Sequence, residues 1–183
     1  MRVICFGDSN TFGFDPRSYL GGRYDAASRW VDIIAEKTGW EIRNNSMCGR
    51  EIPRKEVAFS QSFDLIILML GTNDLLQGNS VAEISARMEH FLLTLSINRK
   101  KILLIAPPSL TLGEWVQNQD MVDSSAALAD AYRAISERLG TQFVDAGKWK
   151  IPLAFDGVHL TEEGNKTFAE ELYHYLTQEF FLC

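Results

Sequence analysis

Ser9, Gly49, Asn73, Asp156 and His159 are the residues of this 183-residue chain whose types and positions could do chemistry. Ser9 sits in Gly7-Asp8-Ser9-Asn10, directly after the apolar run Arg2-Val3-Ile4-Cys5-Phe6. A serine hydroxyl is a weak nucleophile until a base takes its proton. His159 is a candidate base. Asp156, three residues earlier in Asp-Gly-Val-His, could hold the other imidazole nitrogen and fix its tautomer. Asn73, in Gly71-Thr72-Asn73-Asp74, offers a side-chain amide to an oxyanion, and Gly49 and Ser9 offer backbone N–H groups. Nucleophile, base, orienter and oxyanion donors are the parts that acyl transfer needs. Taken singly, each residue has a plain structural alternative. Ser9 reads equally as a helix cap, Gly49 as a turn glycine, Asn73 as an Asx turn and His159 as an exposed loop histidine. His90 and His174 fall in predicted helices, and neither has a loop aspartate as partner. Asp145 is the other acid near enough along the chain to serve.

The elements that must position these residues alternate regularly. Strands are predicted over 2–6, 40–44, 64–70, 102–106 and 142–145. The runs 64–70 and 102–106 are continuously apolar, as in strands buried on both faces of a parallel sheet. Helices are predicted from about residue 25 to a stop at Gly39, from the capping box Ser80-Val81-Ala82-Glu83 to about 95, from a cap at Asp123 or Ser124 to Gly140, and from Thr161 to about 178. A short helix is expected near Pro53–Phe59. Residues 10–25 and 109–122 read as long irregular stretches, a length that usually signals function. Strand–helix alternation without repeat or linker predicts one domain over residues 1–183, with a mostly parallel five-stranded sheet and helices on both faces. Open sheets of this kind place ligands beyond the carboxyl ends of their strands, where Ser9, Gly49, Asn73, Asp156 and His159 all fall.

The bulk numbers exclude several classes. A formal net charge of −6 argues against nucleic acid, whose binders carry a basic face, and gives no attraction to anionic membranes. No apolar run approaches the roughly 20 residues that span a bilayer. Cys5, Cys48 and Cys183 are scattered, which suits neither a disulfide framework nor a zinc site. No metal or cofactor is expected. The chain enters its first strand at once, without a signal-peptide pattern, so a reducing cytoplasm is the expected location.

In order and spacing these blocks resemble the SGNH hydrolases, also called the GDSL lipase/esterase family. Gly7-Asp8-Ser9 resembles the first family block, with Asn10 where leucine is most common. Gly49 falls at the oxyanion glycine of the second, Gly71-Thr72-Asn73-Asp74 resembles the third, and Asp156-Gly157-Val158-His159 the fifth. The long first loop followed by Arg29-Trp30 is similar to that of arylesterase-like bacterial members. The resemblance implies a flavodoxin-like three-layer α/β/α sandwich. It implies Ser9 as nucleophile, His159 as base, Asp156 as orienter, and Ser9, Gly49 and Asn73 around the oxyanion. Two departures stand out. Ser46 replaces a small Gly or Ala in the oxyanion loop, and Asn10 is expected to alter local packing more than chemistry. No Gly-x-Ser-x-Gly elbow is present, which disfavours the α/β-hydrolase fold.

The leading expectation is a serine esterase acting on small-molecule esters. Carbohydrate O-deacetylase, thioesterase and lysophospholipase remain open. Phe12, Phe14, Tyr19, Tyr24 and Trp115 in the long loops could line a sugar platform or an acyl pocket, or could simply pack the loops. The alternative from another class is a non-catalytic flavodoxin-like ligand-binding module, since fold alone decides no function. Acyl length, alcohol and oligomeric state, a homo-oligomer included, are left open by the sequence.

Overall fold

The computed structural model describes residues 1–18, 20–59 and 62–180, the last without its side chain; Tyr19 and Cys183 lie outside the described residues. Five strands, β1 (Arg2–Gly7), β2 (Glu41–Ser46), β3 (Leu65–Met69), β4 (Ile102–Ala106) and β5 (Gln142–Asp145), form one sheet in the order β2-β1-β3-β4-β5. Every pairing is parallel. Successive side chains point to opposite faces, and both faces are apolar. Val3, Cys5, Leu65 and Ile67 pack with helices α2 (Trp30–Thr38) and α6 (Glu162–Phe180). Ile4, Phe6, Ile66 and Leu68 pack with α4 (Val81–Thr94) and α5 (Gln119–Leu139). Two single-turn helices, α1 (Ser9–Phe12) and α3 (Thr72–Leu76), follow β1 and β3 directly.

The register sets the level at which the site loops leave the sheet. Gly7 pairs with Ser46 on one side and Met69 on the other. Ser9, Gly49 and Asn73 therefore lie two, three and four residues beyond one common row. After β1 the chain runs to α2 on one face, and after β3 it runs to α4 on the other. The crevice between these diverging connections is the topological switch point, where open α/β sheets hold ligands.

Four boundaries differ from the sequence expectation, each for a local reason. No helix forms over residues 53–59. Val57 and Phe59 both pack against the core, and residues two apart cannot share a helical face. Helix α2 starts at Trp30 because residues 26–28 close a separate 3₁₀ turn and Arg29 is extended. Helix α5 starts five to six residues early because Asn118 caps it, its side chain accepting from the Met121 N–H at 2.9 Å. Within the predicted irregular stretch 10–25, Ser9–Phe12 form one helical turn, capped by Asp8 and closed by Gly13. The Ser80/Glu83 capping box of α4 forms as expected.

Candidate active site

Ser9 is the first residue of α1, and its position is fixed from before and behind. Asp8 caps the turn by accepting from the Asn10 N–H at 3.0 Å. The Ser9 carbonyl accepts from the N–H groups of Gly13 and Phe14, both at 3.0 Å. The hydroxyl is brought against a side chain 150 residues away: Ser9 Oγ lies 3.0 Å from His159 Nε2. On its far side His159 Nδ1 is 2.7 Å from Asp156 Oδ2. The remaining Asp156 oxygen accepts from the N–H groups of Val158 and His159, both at 2.9 Å. The turn that allows this needs a glycine. Gly157 has φ +79°, and a Cβ there would stand 2.1 Å from the Thr111 carbonyl oxygen.

The imidazole is sealed from bulk water, with His159 only 3% exposed. Phe14 lies 4.7 Å from its ring centroid, and Trp115 meets it edge-on at 5.1 Å. Trp115 is itself 54% exposed, so one part touches the imidazole and the rest faces solvent. Its loop is zipped to the loop carrying Asp156. The N–H groups of Thr111, Glu114 and Trp115 donate to the carbonyls of Gly157, Phe155 and Asp156, each at 3.1 Å. Of the other loop aromatics, Phe12 lies under the Arg23 guanidinium and Tyr24 is buried beside Arg17.

The two buried carboxyls of the site differ in charge preference. Burial pushes Asp8 up to about 6, against the opposing hydrogen bond from Asn10 and the field of His159. Burial also opposes ionisation of Asp156. There the His159 side chain and the two backbone N–H groups outweigh it and hold the carboxyl below its usual range.

Gly49 and Asn73 are held together through Arg50. Gly49 has φ +73°, a left-handed turn that glycine adopts without strain. Arg50 donates from Nη1 to the Gly7 carbonyl at 3.1 Å and to the Asn45 carbonyl, and its guanidinium covers the Phe6 ring at 4.2 Å. The Arg50 carbonyl in turn accepts from Asn73 Nδ2 at 3.1 Å. A longer contact, 3.4 Å, joins the same Nδ2 to Asp8 Oδ2. One amide hydrogen of Asn73 is thus committed and the other only weakly engaged. Buried Asp74 accepts from the Ile52 N–H and from Arg87, which ties the two loops a second time. Ser46 ends β2 and donates its hydroxyl to Asn44.

Ser9, His159 and Asp156 are therefore joined directly, and Asn73 and Gly49 are linked to them through Asp8 and Arg50. Asp145 is engaged elsewhere, with the Gly147 N–H, Arg133 and Lys148. Sequence reasoning missed Arg50, although its place beside Gly49 was a signal. The side chain of Asn10, expected to alter local packing, bonds the backbone of Val158 and Leu160. Among the described residues no group of three His, Cys, Asp or Glu side chains could hold a metal ion, and no helix is long and apolar enough to cross a membrane.

No curated protein matches the chain. Several solved structures do. Est24, a carbohydrate acetylesterase from Sinorhizobium meliloti, has 22% identity and a TM-score of 0.80, with 98% of this chain and 99% of that one covered. The aryl esterase of M. smegmatis has 21% identity and a TM-score of 0.80, with 97% and 98% covered. A lipase/acylhydrolase from Enterococcus faecalis has 17% identity and a TM-score of 0.72, with 97% and 96% covered. At such identities these likenesses establish a shared α/β fold. The family model matches residues 5–167, from inside β1 through His159 into α6, and on that match the chain belongs to the GDSL-like lipase/acylhydrolase family, a family of ester hydrolases.

Proposed function

We propose that this protein is a serine esterase that hydrolyses small carboxylic esters through an acyl-enzyme intermediate. The observation that carries the reading is the unbroken hydrogen-bonded series Asp156–His159–Ser9, at 2.7 and 3.0 Å. Ser9 Oγ attacks the ester carbonyl as His159 Nε2 accepts its proton. Asp156 holds the Nδ1–H and stabilises the imidazolium that forms. The N–H groups of Ser9 and Gly49 and the side-chain amide of Asn73 receive the charge on the carbonyl oxygen. His159 returns the proton to the departing alcohol. Water then attacks acyl-Ser9 with His159 again as base, releasing the acid and restoring the hydroxyl. All 183 residues act as one catalytic domain in this reading, with no metal or cofactor. Cys5 and Cys48 are free thiols, in keeping with a reducing cytoplasm.

A second reading, carbohydrate O-deacetylase, is favoured by the half-exposed Trp115 beside His159, since an indole face can carry a sugar ring. Est24 is itself described as a carbohydrate acetylesterase. A non-catalytic binding module has no need of an imidazole strung between a serine and a buried carboxylate. The deciding experiment labels the protein with a fluorophosphonate and assays acetyl, butyryl and octanoyl esters, a thioester, a lysophospholipid and acetylated sugars. Label on Ser9, with activity abolished in a folded Ser9→Ala variant, is the expected result. A Ser9→Ala protein that keeps most of its activity would refute the assignment. The preferred member of the panel selects among the alternatives.

A further inference from the structure

The Ser9–His159 hydrogen bond must break and re-form in every turnover, because its proton moves to the imidazole and back. It is therefore poorly suited to set the distance between the two segments it joins, which come from opposite ends of the chain. A static tie is needed beside it, and Asn10 supplies one. Asn10 follows Ser9 directly and is 5% exposed. Its Nδ2 donates to the Val158 carbonyl at 3.1 Å, and its Oδ1 accepts from the Leu160 N–H at 2.9 Å. Val158 and Leu160 are the two neighbours of His159, so one planar amide grips the backbone on both sides of the base. Asn10 is itself immobilised. Its N–H donates to Asp8 Oδ1 at 3.0 Å, and its carbonyl accepts from the Trp30 indole N–H at 3.0 Å.

From this geometry we infer that Asn10 is a positioning residue for the base: it sets the separation and orientation of His159 Nε2 relative to Ser9 Oγ. The amide is suited to the task because it presents one donor and one acceptor to a peptide carbonyl and a peptide N–H. Leucine at this place offers neither, and would leave both backbone groups buried without that partner. The inference rests on the serine-esterase reading, because only there must the serine–imidazole distance be held.

The test uses Asn10→Ala and Asn10→Leu beside wild type and Ser9→Ala. Each is assayed for kcat and KM on a small aryl acetate, for rate of fluorophosphonate labelling, and for thermal unfolding. A displacement near 1 Å at a reacting group lowers rates by about 10²-fold. The expected result is a loss of that order in kcat and in labelling rate, with KM little changed, at a temperature where the variant is folded. A low-field proton resonance from the His159 Nδ1–H should shift or broaden in parallel. A folded variant that is less stable but keeps wild-type kcat and labelling rate would overturn the inference and reduce Asn10 to packing. Amide exchange in the wild type decides the matter if neither variant folds. The Leu160 N–H should exchange as slowly as amides within β1, and rapid exchange would show that the tie is not held. An active Ser9→Ala, by contrast, would sink the esterase reading itself.

Discussion

Asp8 and Asp156 are both about 1% exposed, yet their carboxyls are displaced in opposite directions. Asp8 is pushed up to about 6, chiefly by burial. Asp156 is held below its usual range although burial opposes it, because His159 and two backbone N–H groups favour its charge. The carboxyl that holds the His159 imidazole is stabilised as an anion, whereas the one that caps the Ser9 turn is an anion under duress.

Stability should record this. A carboxyl raised in the folded state binds a proton that the unfolded chain has released, so its contribution is present below about pH 4 and lost as pH rises through about 6. A displacement of about two pH units corresponds to roughly 3 kcal/mol. The stability of Asp8→Asn relative to wild type should therefore rise by up to that amount between pH 4 and pH 8, on top of a constant, pH-independent loss from the new Nδ2 facing the amide of Asn73. Denaturant unfolding of both proteins at the two pH values measures the difference. A gap that does not change with pH would mean that Asp8 is ionised as easily folded as unfolded.

Asp156→Asn should fold, since an amide oxygen can still accept from the Val158 and His159 N–H groups. It should nonetheless favour the wrong imidazole tautomer and leave the imidazolium without its counter-charge. In serine proteases the comparable change lowers kcat by about 10⁴. Asp145→Asn is the control, because its carboxylate faces Arg133 and Lys148. Comparing the two pH–rate profiles checks the assignment. Activity retained by Asp156→Asn but lost by Asp145→Asn would transfer the role.

Asn73→Ala should lower kcat far more than it raises KM, because charge on the carbonyl oxygen develops only in the transition state. Loss of one such donor elsewhere costs about 10²–10³ in kcat. Steady-state kinetics on one small ester suffice. A change confined to KM would mean that Asn73 binds substrate or only holds the Arg50 carbonyl.

Trp115 should act on the alcohol side. In the proposed reaction His159 hands its proton to the leaving alcohol, which places that group beside the imidazole that Trp115 touches. Trp115→Ala should lower acylation by phenyl acetate roughly threefold to tenfold, the value of one aromatic contact, and spare ethyl acetate. Deacylation, common to both acetates, should be unchanged. Equal slowing of both substrates would instead mean that the indole supports the base.

Much of the candidate site was legible because its parts are short blocks at strand ends, and strand ends are the easiest features of an alternating α/β sequence to find. The continuous apolar runs of β3 and β4 left little choice of face or partner. What escaped was set by contacts across the chain. Val57 and Phe59 are drawn out of a helix by the core, and Asn118 captures the Met121 N–H ahead of later caps. Asn10 illustrates the limit. Beside Ser9 it reads as a substitution for leucine, and its role depends on backbone groups 150 positions away that only the folded loop presents.

The zipper between residues 111–115 and 155–157 bears on how this enzyme could be altered. In many scaffolds a substrate-contacting loop can be exchanged wholesale while the reacting groups stay on rigid strands. Here the segment that presents Trp115 to solvent is also the splint of the turn carrying Asp156 and His159. Replacing it would change selectivity and turnover together, so transplanted loops should arrive with slow variants. Selectivity is better varied one side chain at a time, at Trp115 or at exposed Leu112 and Phe155, with the backbone bonds of the splint left in place.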